Sequence, residues 1–86
     1  MARLKDKVAL VTGGASGIGE GTVRKFVEEG ARCVVVDLQI ERAQALVEEL
    51  GDTCFAFAAD VASEEGVAGA VDFSVEKFGK LDIVFN

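Results

Sequence analysis

A few glycines, one serine and two aspartates carry most of the chemistry this chain can do. They stand in Thr12–Gly19 (TGGASGIG), at Asp37 and at Asp60. Glycines at the mouth of a helix leave backbone N–H groups bare. Those groups and the positive end of the helix dipole together suit a phosphate. Gly13 lets the chain leave a strand sharply, and Gly17 lets the backbone approach a pyrophosphate with no Cβ in the way. Gly19 is expected to pack a helix closely against a sheet. Ser16 adds a hydroxyl donor, and Ile18 stands between the last two glycines.

The spacing excludes two rival loops. A Walker A loop needs Lys and then Ser or Thr after its last glycine, and here Glu20 follows Gly19. The commoner G-x-G-x-x-G spacing is also absent, and T-G-x-x-x-G-x-G stands in its place. Asp37 lies twenty residues beyond Gly17, at the end of an apolar run. A carboxylate there accepts hydrogen bonds from both hydroxyls of an adenosine ribose and repels a 2′-phosphate. Leu38, Gln39 and Ile40 follow it, and the next base is Arg42, so NAD is favoured over NADP. Asp60, followed by Val61, closes another apolar run and is a candidate partner for an adenine amino group. Plainer readings stand beside these: Asp37 as a helix N-cap, and Asp60 as a strand terminator before a Ser63 cap.

The elements that must position these residues alternate. Lys7–Thr12 reads as a buried strand, and a helix follows from about Gly17 to Glu29, with Ile18, Thr22 or Val23, Phe26 and Val27 on its apolar stripe. Arg32–Asp37 is a second strand. Ile40–Leu50 is a helix with Ala43, Leu46, Val47 and Leu50 inward, and Thr53–Ala58 is a third strand. Ser63 caps a helix that runs to Phe78 on Val67, Val71, Val75 and Phe78, and Leu81–Phe85 is a fourth strand. Strand–helix alternation argues for an α/β fold with helices on both faces of a parallel sheet. The doubly wound choice places the strands in the order 3-2-1-4 as one unit over residues 1–86, with a ligand site beyond their carboxyl ends.

Composition sets outer limits. The chain has 86 residues, half of them hydrophobic, with a net charge of −6 and neither His nor Tyr. An acidic chain of this kind is not expected to bind nucleic acid. No apolar run reaches the ~18 residues needed to span a membrane, and the start of the chain lacks the apolar core of a secretory signal. Cys33 and Cys54 have no metal-ligand spacing and are expected as small buried hydrophobes on neighbouring strands, unpaired in a cytoplasmic protein.

Over its whole length the chain resembles the short-chain dehydrogenase/reductase family, N-terminal portion. The resemblance rests on Thr12–Gly19, Asp37, Asp60–Val61 and Leu81–Asn86 (LDIVFN). It implies a Rossmann-like fold and an oxidoreductase that moves hydride between NAD and an alcohol or carbonyl substrate. It places Gly13, Ser16, Gly17, Ile18 and Gly19 at the pyrophosphate, Asp37 and Leu38 at the adenosine ribose, and Asp60 and Val61 at the adenine. Asn86 then lies near the nicotinamide-side ribose, at the start of the family's Asn-Asn-Ala-Gly segment. The family's catalytic Tyr-x-x-x-Lys and Ser have no counterpart here, so no catalytic residue is assigned. The chain is expected to be an inactive half of a longer, homo-oligomeric enzyme, self-associating through the bare edge of the fourth strand. The alternative is a stand-alone nucleotide-binding or subunit-interaction module.

Overall fold

The computed structural model describes residues 3–86. Strand β1 (Val8–Thr12) leads through the glycine loop into helix α1 (Gly17–Glu28). Strand β2 (Arg32–Asp37), helix α2 (Ile40–Leu50), strand β3 (Cys54–Ala58), helix α3 (Glu64–Phe78) and strand β4 (Ile83–Phe85) follow. All pairings are parallel and the sheet order is β3-β2-β1-β4, as expected from the alternation.

The two faces of the sheet explain the continuous apolar runs. Side chains alternate along a strand, so a strand covered on both sides has no polar positions. Ala9, Val11, Cys33 and Val35 face one way and pack with Val23 of α1 and Ala43 and Leu46 of α2. Leu10, Val34 and Val36 face the other way, toward Ala70 of α3. The chain winds from β1 outward to β3 on one side, then crosses back to lay β4 on the other flank of β1. The loops after β1 and β4 therefore diverge, which opens a crevice at the carboxyl ends of the strands.

Strand β2 starts at Arg32 as the sequence suggests, and the other three strands start later. Lys7 and Thr53 still lend carbonyls to the ladder, to the N–H groups of Arg32 and Cys33, both at 2.9 Å. At β4 the cause is Asp82. Its carboxylate accepts the Val8 N–H at 2.9 Å while its own N–H donates to the Val8 carbonyl, so regular pairing begins only at Ile83.

Two apolar stripes differ from expectation. Ile18 does not join the buried face of α1; it is 82% exposed. Gly19 and Val23, one turn apart, take the buried face, and Ile18 sits about 100° round the helix from Gly19. In α3 the buried line is Ala70 and Ser74, and Val67 and Val75 are exposed. Small residues allow a close approach to the sheet, and the Ser74 hydroxyl is satisfied by donating to the Ala70 carbonyl at 2.8 Å. Val71, Phe73 and Phe78 flank that line.

Candidate functional site

The loop from Gly13 to Ser16 is pinned to the end of β2. The Gly14 N–H donates to the Val36 carbonyl at 3.3 Å, and the Ala15 N–H donates to Asp37 Oδ2 at 3.2 Å. Gly13 has φ +62 and Gly17 φ +55, the left-handed region where a side chain is strained. A Cβ on Gly17 would meet open space, so this face of the loop is bare backbone.

Gly19 has a different neighbour from the one expected. A Cβ there would run into the Gly13 carbonyl oxygen and stand 3.0 Å from Gly14 Cα, so Gly19 packs α1 onto its own loop rather than onto the sheet. Gly14 does the packing on the sheet: its Cβ would lie 2.9 Å from Val35 Cγ1 and 3.1 Å from the Val11 carbonyl. The signal that points to Gly14 is the Gly-Gly pair directly after β1.

The N-terminus of α1 is uncapped. Ser16 is extended at the N-cap, and its side chain takes no hydrogen bond from the first turn. The opposite holds at α3, where Ser63 Oγ accepts the Gly66 N–H at 2.9 Å. First-turn N–H groups have no intrahelical partner, so α1 presents donors and a positive dipole end to the crevice. Glu20 lies in that turn, but its carboxylate pairs with Arg24 at 3.0 Å, and Arg24 also grips Glu49 of α2. The hydrogen bonds that Arg24 donates to Glu49 and then to Glu20 hold its guanidinium firmly charged, so the Glu20 carboxylate is turned to a cation and away from the helix mouth.

Asp37 lies at the lip of a cleft of about 140 Å³ lined by Gly13, Val36, Asp37, Leu38, Ala59, Asp60 and Val61. Its Oδ1 accepts the Gln39 N–H at 2.9 Å, so the carboxylate is fixed from both sides by backbone. It is not the N-cap of α2; Gln39 holds that place. Leu38 and Val61 are exposed apolar walls between which a flat ring can stack. Asp60 Oδ1 accepts the Ala62 N–H at 2.9 Å and its carbonyl accepts the Ser63 hydroxyl, so it also shapes the turn before α3.

On the other side of the crevice the Thr12 hydroxyl donates to Asn86 Oδ1 at 3.0 Å. Thr12 thus ties the end of β1 to the residue after β4, a role that motif spacing does not reveal. A wider groove of about 400 Å³ opens beside this pair, bordered by Val61, Val67, Val71 and Val84. Gly13, Asp37, Leu38, Asp60 and Val61 border one cleft, and Val61 and Asn86 border the neighbouring groove. Ser16 and Gly17 line a separate hollow of about 490 Å³ between α1 and α2, and Ile18 and Gly19 border none of the three. No helix among the described residues is long and apolar enough to cross a membrane.

Comparison with known proteins points one way. A sequence model of the family described as short chain dehydrogenase matches residues 7–86. The chain is 53% identical to momilactone A synthase of Oryza sativa subsp. japonica over 85 residues, covering 98% of this chain and 31% of that protein. It is 47% identical to secoisolariciresinol dehydrogenase of Forsythia intermedia, with 98% and 31% covered. In structure it resembles a 3-ketoacyl-(acyl-carrier-protein) reductase from Brucella melitensis complexed with NADH, with TM-score 0.91 and 44% identity over 94% of this chain and 33% of that one. The chain therefore spans about a third of the length of these relatives.

Proposed function

This chain belongs to the short chain dehydrogenase family, and on that premise we propose that residues 1–86 are one NAD-binding unit of an oxidoreductase acting on alcohol or carbonyl groups. The observation that carries this is the uncapped mouth of α1 opening beside a cleft whose lip is Asp37. In this reading Gly13, Ser16, Gly17, Ile18 and Gly19 hold the pyrophosphate. Asp37 and Leu38 take the adenosine ribose, Asp60 and Val61 the adenine, and Asn86 the ribose on the nicotinamide side. The solved reductase with NADH supports the cofactor by likeness. Asp37 supports the choice of NAD, since a 2′-phosphate would stand against its carboxylate.

NAD, when bound, would supply the group that accepts or gives a hydride. The residues of this chain bind and orient it: α1 donates N–H groups, the backbone-held Asp37 fixes the sugar, and the Thr12–Asn86 pair borders the reacting end. Carbonyl reduction also needs a proton donor at the developing alkoxide. With no Tyr and no His in the chain, these residues by themselves are proposed not to turn over. Substrate contacts and homo-oligomer formation then belong to the whole protein. The cytoplasm is the setting this reading takes, both cysteines being free thiols.

A second reading, a non-catalytic module that pairs with another subunit, draws on β4. Among the described residues that strand pairs only with β1, and Val84 is 52% exposed on it. Unpaired strand edges recruit partners.

Calorimetric titration with NAD and NADP, with circular dichroism on the same sample, tests the first reading. Saturable NAD binding to a folded chain, weaker for NADP, is expected. A folded chain that binds neither would overturn it.

A further inference from the structure

Two nucleophilic side chains take no part in the crevice. Cys33 of β2 and Cys54 of β3 are direct partners in the sheet register. Registered neighbours in a parallel sheet project to the same face, and both lie in the cluster under α1 and α2. Neighbouring strands stand about 4.8 Å apart, inside the ~4.4–6.8 Å Cα separation that a disulfide spans. The thiols are free, and the strand register sets them side by side.

The pair is asymmetric in access. Cys33 is 0% exposed, whereas Cys54 is 3% exposed at the floor of a cleft of about 460 Å³ bordered by Val47, Glu48, Gly51, Asp52 and Phe55. Two carboxylates, Glu48 and Asp52, stand on that rim. They repel an anionic oxidant such as a small acidic disulfide and leave a neutral one free to enter.

We propose that Cys54 and Cys33 form an oxidisable dithiol, in which a small neutral hydroperoxide reaches Cys54 through the cleft and oxidises it, and Cys33 then closes a cross-strand disulfide. The Cys54 thiolate attacks the peroxide. An S–O bond forms, the O–O bond breaks, and the departing oxygen leaves as an alcohol or water after taking a proton. The Cys33 sulfur gives up its proton and attacks the Cys54 sulfur. The S–S bond forms, the S–O bond breaks, and hydroxide leaves as water. Two electrons pass from the thiols to the peroxide. The neighbouring Cys33 thiol first, and then the Thr53 hydroxyl at 3.8 Å, favour thiolate at Cys54 against the cost of burial. The same arrangement raises Cys33, which suits a resolving thiol that stays protonated until it is needed.

The crosslink lies at the amino ends of β2 and β3, away from Asp37 at the opposite end of β2. It ties down the β2–α2–β3 unit without entering the crevice, so its test does not depend on cofactor binding.

The folded chain is treated with hydrogen peroxide, then denatured, alkylated and mapped by mass spectrometry. The expected result is a linked Cys33–Cys54 peptide pair, loss of two hydrogens from the intact mass, no alkylation, and a higher melting temperature than the reduced chain. Cys33→Ser is expected to stop at a sulfenic acid on Cys54 that a cyclic dione labels, and Cys54→Ser to leave Cys33 unoxidised. Circular dichroism verifies that each variant folds. If one does not, the wild-type peptide map decides alone. Two alkylated cysteines after peroxide, a disulfide between chains, or equal reactivity of Cys33 in folded Cys54→Ser would overturn the proposal.

Discussion

At the scale of single residues, Asp37 does two jobs with one carboxylate. It receives the Ala15 and Gln39 N–H groups, which hold the glycine loop and the start of α2 against β2, and it lines the cleft proposed for adenosine. Replacing it with Arg removes charge-assisted bonds worth ~1.5–3 kcal/mol. Asp37→Arg is therefore expected to weaken NAD binding about tenfold or more and to relax discrimination against NADP; titrations with both cofactors check it, and two unchanged affinities would remove Asp37 from the site. The glycines separate by neighbour. Gly17→Ala meets no atom but takes a side chain into φ +55, for about 1 kcal/mol and a melting shift of about 5 °C. Gly19→Ala drives a Cβ into the Gly13 carbonyl, so a larger loss of melting temperature and of NAD binding is expected in the same assays.

At the scale of elements, α1 and α3 begin with serines that do different work. Ser63 accepts the Gly66 N–H and so caps α3; Ser16 caps nothing. Ser63→Ala is expected to destabilise the chain by about 1 kcal/mol and to leave NAD affinity unchanged. Ser16→Ala is expected to leave thermal melting unchanged and to weaken NAD binding. Melting curves and titrations on the two variants read both effects, and equal melting losses would mean that Ser16 is a structural cap. Gly66 is bound into the same turn, since a Cβ on it would strike the Asp60 carbonyl. The turn that presents Asp60 to the cleft and the start of α3 are thus one structural unit.

At the scale of the whole molecule, distant segments are joined by carboxylates. Asp82 is held below its ordinary range first by the Val8 N–H and then by Lys80, Glu29 first by the Arg3 N–H and then by Lys25, and Glu49 by Arg24. Each folded pKa lies below its unfolded value, so this stability is fully present above the unfolded pKa of about 4 and is lost as pH falls through the lower folded values. Denaturation followed from pH 7 down to strongly acid is expected to show the loss below about pH 4, with a smaller drop for Asp82→Asn. The second reading is also tested at this scale: if the β4 edge recruits another copy, Val84→Lys, which places a charge beside it, is expected to lower self-association in light scattering, and unchanged scattering would count against that reading.

The sequence alone determined the alternation of strands and helices, the order of the sheet and the cluster of glycines and aspartates at one end of it. The alternation is local, because buried strands read as apolar runs and helix mouths carry their own residue types; the sheet order follows from it through right-handed crossovers and the doubly wound choice. Only the tertiary structure decided which neighbour each residue meets. It assigned Gly14 to the sheet and Gly19 to the loop. It turned Ile18 outward, buried Ala70 and Ser74 in place of Val67 and Val75, gave Val8 its partner in Asp82 and set Cys33 opposite Cys54. These outcomes depend on the rotation of a helix about its axis and on the register between strands. Both are set by packing against residues far away in the chain, where local spacing carries no signal.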